Sequence, residues 1–451
     1  MNRRLILLVV AAGIIAGTGC PPNAGPIASL EPMPWVEANG TNANSGFNAV
    51  HSPLATLDRQ IWNASIGRLT QSSPTIGPDG TIWIANANGE LVAINPDGSP
   101  HRRRSLDDFI LASPAVNSAT NEIFVVGEHT VAPNKFTSRV YRLDAGAALL
   151  NVSSEPLVSA AAPKLWDHYI FLPTSGELVV LDQASLAIVA HETTNSCFDI
   201  ICGDSVLGDV FGTIVDCVIN RGCPFTGQAE SGPEESAGVA IIDSAAIVDD
   251  SSKPIVVAMS PQCAVGFRFD PTASHPLEII WHQALVPVDC DFQTVRSTAP
   301  TVVAGGAAVV FGTEHGRVLE LDTLTGQVLF DRQLSEPVQS APVSNGLGPI
   351  YVVEQRHLAT LNSSGAVISE VPLLGTGLTA ALSLDHVYVG TSQGIHTFDT
   401  LPAQSSPFAD VENGFGAFKI ALAEDGTLYA SSPTVDSENI VGGLLFAYRA
   451  P

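Results

Sequence analysis

Positive charge is scarce in this 451-residue sequence. Twenty lysines and arginines stand against 45 aspartates and glutamates, which gives a formal net charge of −25. Nucleic acid and anionic lipid surfaces repel such an acidic chain, so nucleic acid is excluded as a partner. Charged residues are only 14% of the chain and hydrophobic residues 45%, which is typical of a folded protein with a large core rather than of a disordered one.

Long apolar runs are limited to one, residues 5–16, which follows two arginines and is too short to span a bilayer. This is the pattern of an export signal. Residues 17–20 are similar to the cleavage box of bacterial lipoproteins, although a leucine is usual where Gly17 stands. We predict a lipoprotein signal peptide over 1–19, with Cys20 as the lipidated residue. An ordinary secretory peptide is the alternative, and both imply export.

The sequence motifs of metal sites and of haem attachment are also missing. The eleven histidines show no metal-ligand spacing, and H-E-x-x-H, C-x-x-C-H and D-x-D-x-D-G are absent. Glu128-His129 and Glu314-His315 each follow an apolar run of strand length and a glycine, and we interpret them as polar hairpin tips. The alternative is that such residues form a ring that binds a metal ion. We predict no catalytic residue, no metal and no cofactor.

Residues 20–57 are rich in Pro, Asn, Gly, Ala and Ser and show no strand periodicity. This composition is typical of a flexible tether between a membrane anchor and a folded body. We therefore place the folded domain at 58–451.

A motif of about 40 residues recurs through that domain. Its clearest copy, 297–333, contains four short apolar strands separated by glycines. The third strand ends in an apolar residue followed by Asp or Asn, as in Leu321-Asp322. Four-stranded units at this period predict an all-β fold, an eight-bladed β-propeller of four-stranded antiparallel blades. The eight first strands start at Pro74, Pro114, Pro163, Ala245, Pro300, Pro342, Ala380 and Lys419.

The ring of blades is predicted to close through the N-terminal end of the domain. The last copy lacks a fourth strand, whereas residues 59–64 have the pattern of a fourth strand with no unit before them. We expect 59–64 to pair beside 444–448 and to complete the eighth blade. Closure removes an exposed sheet edge that would otherwise invite aggregation.

The blade motif resembles the quinoprotein-like (PQQ-like) propeller repeat. The resemblance lies in S-P-A-V at 113–116, A-P-T-V at 299–302, G-R-V-L-E-L-D at 316–322 and G-I-H-T-F-D at 394–399, and it covers roughly 57–449. It implies the fold and two possible branches, quinone-dependent dehydrogenases and non-enzymatic binding propellers. The latter include the lipoprotein subunit of the outer-membrane β-barrel assembly machinery. This sequence lacks the adjacent cysteine pair typical of the dehydrogenases, so the binding branch is favoured.

Residues 192–243 interrupt the repeat between blades 3 and 4 as a cysteine-rich insertion. With Cys20 lipidated, six cysteines remain, which predicts three disulfides in an oxidising compartment. Proximity along the chain favours Cys197–Cys202, Cys217–Cys223 and Cys263–Cys290 among the fifteen possible connectivities. All six map to one sector of one face, because connections between blades and turns between second and third strands emerge on the same side. We expect the partner to bind there.

These inferences predict an exported, lipid-anchored propeller that acts as a non-catalytic binding or scaffold protein of the cell envelope. It would be a monomer held at the outer membrane, on the periplasmic side or the cell surface, by its lipid anchor alone, with envelope proteins as partners. Two alternatives remain: a lyase or oxidoreductase working at the central pore, and a binder of carbohydrate or another small ligand there. A polar pore pocket with a shifted acid or histidine would favour an enzyme. A broad face with exposed apolar side chains would favour a scaffold.

Overall fold

The computed structural model describes most of the predicted domain and part of the segment before it. The described residues are 35–51, 60–68, 72–106, 109–132, 135–154, 157, 159, 161–174, 177–193, 244–249, 253–260, 263–285, 296–346, 348–400, 405–410, 416–436 and 439–449.

The described residues form eight antiparallel sheets, one per blade, and a 3-10 turn at Ala304–Gly306. The strands up to blade 4 are β1 (Gln60–Gly67, which joins blade 8); β2 (Thr75–Ile76), β3 (Ile82–Ala85), β4 (Glu90–Ile94) and β5 (Pro100–Ser105) in blade 1; β6 (Ala115–Val116), β7 (Ile123–Ala132), β8 (Lys135–Leu143) and β9 (Leu149–Val152) in blade 2; β10 (Lys164–Trp166), β11 (Tyr169–Pro173), β12 (Glu177–Asp182) and β13 (Ile188–Thr193) in blade 3; and β14 (Ala246–Val248), β15 (Ile255–Met259), β16 (Cys263–Phe269) and β17 (Leu277–Ala284) in blade 4.

The remaining strands are β18 (Thr301–Val303), β19 (Ala308–Gly312), β20 (Arg317–Asp322) and β21 (Val328–Gln333) in blade 5; β22 (Ile350–Val353), β23 (His357–Leu361) and β24 (Val367–Pro372) in blade 6; β25 (Gly377–Leu382), β26 (His386–Thr391), β27 (Gly394–Asp399) and β28 (Ser405–Asp410) in blade 7; and β29 (Lys419–Leu422), β30 (Leu428–Asp436) and β31 (Asn439–Tyr448) in blade 8. The predicted eight-bladed propeller is confirmed. In blade 6 the first strand is reduced to one bridge between Val343 and Tyr351, because the chain turns soon afterwards at Gly346, whose φ is +78°.

The ring closes as predicted. β1 pairs antiparallel with β31, with Gln60 opposite Tyr448 and Ala64 opposite Leu445. The first strands of neighbouring blades contact one another, as β2 does β6 and β25 does β29, so these strands line the axis of the ring.

The Asp or Asn that ends or follows most third strands has a local structural role, as blades 5 and 6 show. Asp322 Oδ1 accepts hydrogen bonds from the backbone N–H groups of Leu324 and Thr325, and Asn362 Oδ1 does the same for Ser364 and Ala366. An Asp or Asn side chain that bonds the backbone two residues on stabilises a turn. The Asp/Asn mark is therefore turn chemistry between third and fourth strands.

The apolar core lies between adjacent blades. Phe171 and Val180 of blade 3, for example, pack with Phe267 and Phe269 of blade 4. At the outer end of some interfaces an aromatic ring lies on a glycine of the next blade. Trp62 lies on Gly98, Trp281 on Gly326 and Phe330 on Gly365. Both tryptophans also donate Nε1–H to carbonyls of the neighbouring turn, those of Pro96 and Thr323.

Residues 35–51, which we name the axial segment, run through the centre of the ring and correct the predicted tether. Trp35, Asn44, Phe47 and Val50 are all buried. The segment lacks strand periodicity because its successive backbone carbonyls accept hydrogen bonds from different blades, and not from one neighbouring strand. The rest of the predicted tether, 20–34 and 52–57, and the signal peptide with Cys20 lie outside the described residues. Among the described residues, no helix has the length and apolar character needed to span a membrane.

Candidate functional site

The centre of the ring is occupied by the axial segment. Carbonyl oxygens of the segment accept hydrogen bonds from the first strand, or its bridge, in six blades. These bonds join Trp35 to Ile76, Val36 to Val116, Asn42 to Ile247, Ala43 to Val302, Ser45 to Ser344 and Gly46 to Leu382. Asn48 Nδ2 donates to the Leu422 carbonyl of blade 8. In each of these six blades, one backbone N–H at the inner edge is therefore satisfied by the axial segment.

Blade 3 holds the axial segment by an ion pair. Lys164 Nζ lies 3.2 Å from Glu37 Oε2 and donates to the carbonyls of Ala38 and Thr41. Glu37 Oε1 accepts the backbone N–H of Leu165. Burial raises the pKa of Glu37, and the nearby Lys164 charge opposes that rise. Because the two opposite charges face each other and both side chains also make hydrogen bonds to the backbone, this group is interpreted as structural.

The end of the ring that carries the turns between second and third strands also carries the connections between blades. We name this end the connection face. Cys263 starts β16 there, is buried and is disulfide-bonded. Its partner lies outside the described residues, as do the other five predicted disulfide cysteines, so the pairing Cys263–Cys290 stays a prediction. The insertion leaves the ring after Thr193 and returns before Ser244, at this same face.

A group of carboxylates and one histidine lies on the connection face of blade 6, and the sequence reasoning missed it. Ligand atoms of Glu354, His357 and Glu370 all lie within 4.8 Å of one another. His357 Nδ1 is 3.3 Å from Glu336 Oε2 and 3.9 Å from Glu370 Oε1. We name these four residues the carboxylate cluster. Such a set can hold a cation, whereas the predicted hairpin tips Glu128-His129 and Glu314-His315 belong to blades 2 and 5 and join no such group among the described residues.

The carboxylate cluster contains more carboxyl groups than positively charged groups to pair with them. Burial and then the neighbouring charge of Glu370 raise the pKa of Glu354, despite the hydrogen bond from the Glu336 backbone. Burial also acts to raise the pKa of Glu336, but the bonds from Arg356 and His357 outweigh it and lower the pKa overall. Three carboxyl groups thus share one imidazole and the exposed guanidinium of Arg356.

Two further surface features bear on binding. An open groove of about 720 Å³ runs between the outer strands of blades 3 and 4, lined in part by His191, His275 and Glu278. Pairs of apolar residues at the start of fourth strands are exposed, with Leu329 51% and Ile368 52% exposed. These pairs lie on the outer rim, at the end opposite the connection face, whereas exposed Leu374 and Phe109 lie in connections between blades.

One G-x-S-x-G spacing occurs in the sequence, in blade 7. Residues 390–394 read G-T-S-Q-G, the spacing of a hydrolase nucleophile turn. Here it lies between β26 and β27, two antiparallel strands, and not between a strand and a helix. Ser392 Oγ accepts the backbone N–H of Thr376, so the serine holds a turn.

Comparison with known proteins confirms the repeat and the fold. Residues 278–401 match the family model of the outer membrane protein assembly factor BamB. The structure is similar to BamB from Moraxella catarrhalis, with 14% identity and a TM-score of 0.60 over 87% of this chain and 99% of that chain. It is also similar to quinohemoprotein alcohol dehydrogenases from Comamonas testosteroni (11% identity, TM-score 0.63, 94% of this chain and 81% of that chain) and Pseudomonas putida HK5 (10% identity, TM-score 0.60, 93% and 80%). No curated protein matches this sequence.

Proposed function

We propose that the protein is an exported, lipid-anchored scaffold of the cell envelope that binds another envelope protein without catalysis. The observation that carries this proposal is the axial segment. Because it occupies the middle of the ring, the surfaces left for a partner are the faces and the outer rim. The match of residues 278–401 to the BamB family model supports the same reading, since that family's description names an outer-membrane assembly factor.

The outer rim of blades 5 and 6 is the partner surface we propose. Val328 and Leu329 begin β21, and Val367 and Ile368 begin β24 on the neighbouring blade. All four side chains are exposed, and an apolar patch on an acidic protein is typical of a protein-binding site. Both strands also lie inside the part of the chain that matches the family model. The connection face with its insertion is the competing surface.

An affinity experiment separates the two surfaces. Tagged protein is cross-linked in envelopes of the source cell, and the co-purifying proteins are identified. The paired variant Leu329→Asp with Ile368→Asp should lose the partner, whereas Leu149→Asp with Leu150→Asp, the matched pair on blade 2, should keep it. Replacement of 197–223 by a short Gly/Ser linker should keep it too. Loss of the partner only in the linker variant would move the site to the connection face, and recovery of no envelope protein would contradict the scaffold proposal.

The alternative is an enzyme that works at the central pore, and the likeness in fold to the two alcohol dehydrogenases favours it. The axial segment speaks against a quinone there, because its backbone accepts hydrogen bonds from the innermost part of six blades. Binding of added pyrroloquinoline quinone, followed by its absorbance after gel filtration, tests this alternative directly. Stoichiometric retention would favour the enzyme.

The lipid anchor is a separate part of the proposal. Cys20→Ser should release the protein from membranes, because the acyl chains on Cys20 would supply the hydrophobic attachment. A Cys20→Ser protein that still sediments with membranes after a high-salt wash would contradict the anchor.

A further inference from the structure

The turn between the second and third strands shows what the fold requires at its first position. In blades 1, 3, 4, 5 and 7 that residue is short and polar: Asn86, Thr174, Ser260, Thr313 and Thr391. Each side-chain oxygen accepts the backbone N–H that starts the third strand, from Glu90, Glu177, Cys263, Arg317 and Gly394 in turn. A short acceptor is therefore enough to complete this turn.

Glu354 occupies the same position in blade 6. Its backbone N–H donates to the His357 carbonyl, as the backbone N–H of Thr174 does to that of Glu177. Its carboxylate points elsewhere: Oε1 accepts the backbone N–H of Glu336 at 3.0 Å and lies 3.4 Å from Ser335 Oγ. The turn does not need a carboxylate here, so the structure of the turn does not explain why position 354 is a glutamate.

One carboxylate oxygen of the carboxylate cluster is buried without a partner. Glu354 is 0% exposed, and its Oε2 makes no hydrogen bond to any described residue. His357 Nδ1 is also buried and meets carboxylate oxygens, Glu336 Oε2 at 3.3 Å and Glu370 Oε1 at 3.9 Å. A buried carboxylate oxygen without a partner costs free energy, and a second and third carboxylate nearby add repulsion. A bound cation would remove both penalties.

We propose that Glu354, His357 and Glu370, with Glu336 as a fourth ligand, bind a divalent transition-metal ion of the Zn²⁺ or Mn²⁺ class. One imidazole nitrogen among carboxylate oxygens suits these ions, whereas Ca²⁺ and Mg²⁺ take oxygen ligands. The ligand atoms lie within 4.8 Å of one another, and those of a tetrahedral zinc site lie about 3.3 Å apart. His357 and Glu370 are partly exposed, so their side chains have room to rotate towards Glu354. The site would tie β23, β24 and the connection from blade 5 together.

The strands set up this arrangement by register. His357 pairs with Pro372 and Ala359 with Glu370, so His357 and Glu370 are diagonal neighbours on one face of blade 6. Glu354 comes from the turn before β23, and Glu336 from the connection after β21. Four ligands from three separate parts of the chain explain why no spacing motif reveals the site.

The test uses the whole exported protein, stripped with a chelator and titrated with ZnCl2, MnCl2 and CaCl2 by calorimetry. We expect one equivalent of Zn²⁺ or Mn²⁺ to bind and to raise the melting temperature, and Ca²⁺ to bind at least tenfold more weakly. Glu354→Gln and His357→Gln should each lower the affinity at least tenfold. Glu314→Gln, a matched change in the corresponding region of blade 5, should leave it unchanged.

Spectroscopy keeps the proposal testable if a variant fails to fold. X-ray absorption at the zinc edge of the wild-type protein should show oxygen ligands and one imidazole. Sulfur ligands would overturn the proposal, because they would place the ion on cysteines. Absence of binding, or equal binding by the wild-type protein and the two ligand variants, would overturn it as well.

Discussion

Lys164 and Glu37 pair at 3.2 Å in the middle of the ring, with both side chains buried. The pair joins the axial segment to the first strand of blade 3, and Lys164 adds two hydrogen bonds to carbonyls of the segment. A buried ion pair contributes little net stability over apolar residues, but removal of one partner leaves an uncompensated buried charge. The cost of breaking this pair therefore measures how firmly the axial segment is held.

Lys164→Met should lower the free energy of unfolding by about 3–5 kcal/mol in urea denaturation. Lys253→Met is the control, because Lys253 forms a partly exposed pair with Asp270 and its loss should lower the free energy of unfolding far less. The double variant Glu37→Gln with Lys164→Met should recover part of the loss. Since burial raises the pKa of Glu37, the Lys164→Met deficit should grow as the pH rises from 5 to 8. Equal effects of Lys164→Met and Lys253→Met would mean that the centre of the ring is open to water.

Asn44→Ala should destabilise the protein by about 2–4 kcal/mol. Asn44 Nδ2 donates to the carbonyls of Ala245 and Pro300, both at 2.9 Å, and Asn44 Oδ1 accepts from Ser244. The alanine leaves these groups buried without partners between blades 4 and 5. Asn95→Ala removes an exposed turn bond to Ser99 and should cost less than about 1 kcal/mol. Thermal melts of both variants provide the measurement, and overlapping curves would argue against a packed axial segment.

Glu320→Gln should stabilise the protein at pH 8 but not at pH 4. Burial raises the pKa of Glu320 in β20 to about 7. The folded protein therefore favours the protonated carboxyl, and its stability falls as the pH rises from the unfolded value of 4.5 through 7. The gain of the glutamine variant should reach about 1–3 kcal/mol above pH 7. Glu278→Gln, at an exposed position of β17, should show no such pH dependence in the same denaturant series. A gain independent of pH would contradict the shifted carboxyl.

Gly326→Ala should destabilise the interface of blades 4 and 5 by about 2–3 kcal/mol. Its φ is +68°, and an added Cβ would lie 2.7 Å from Trp281 Cδ2. Gly305 is a matched control, because its φ is +65° and nothing lies within 4 Å of an added Cβ. Gly305→Ala should show only the backbone strain, about 1–2 kcal/mol. Tryptophan fluorescence should shift in the Gly326 variant alone, and an unchanged spectrum would mean that the ring of Trp281 is not held there.

The blades were predictable because the residues that begin and end their strands are determined within each repeat. Pro300 precedes a first strand and Asp322 ends a third strand for reasons that act within one unit, and repetition multiplies the signal. Closure was predictable as well, because the last repeat lacks a fourth strand and residues 59–64 have the pattern of one without a repeat before them. The axial segment was mistaken for a tether because each of its residues serves a different blade, which leaves no period in the sequence.

The carboxylate cluster escaped the sequence reasoning for a related reason. Its members are separated along the chain and meet only through the register of β23 with β24 and the path of the connection before blade 6. A weak signal does exist at Glu354. Aligning the copies by their second strands places a glutamate where five other blades have Ser, Thr or Asn.

The axial segment also has a consequence for biosynthesis. Residues 35–51 leave the ribosome before any blade, and their contacts follow blade order, from Trp35 with blade 1 to Gly46 with blade 7 and Asn48 with blade 8. Each newly made blade therefore meets an acceptor or donor that already exists, as expected when a domain assembles from its N-terminus. The segment thus offers one contact after another to all eight blades, with Lys164 making the contact from blade 3, in the order in which the blades are made.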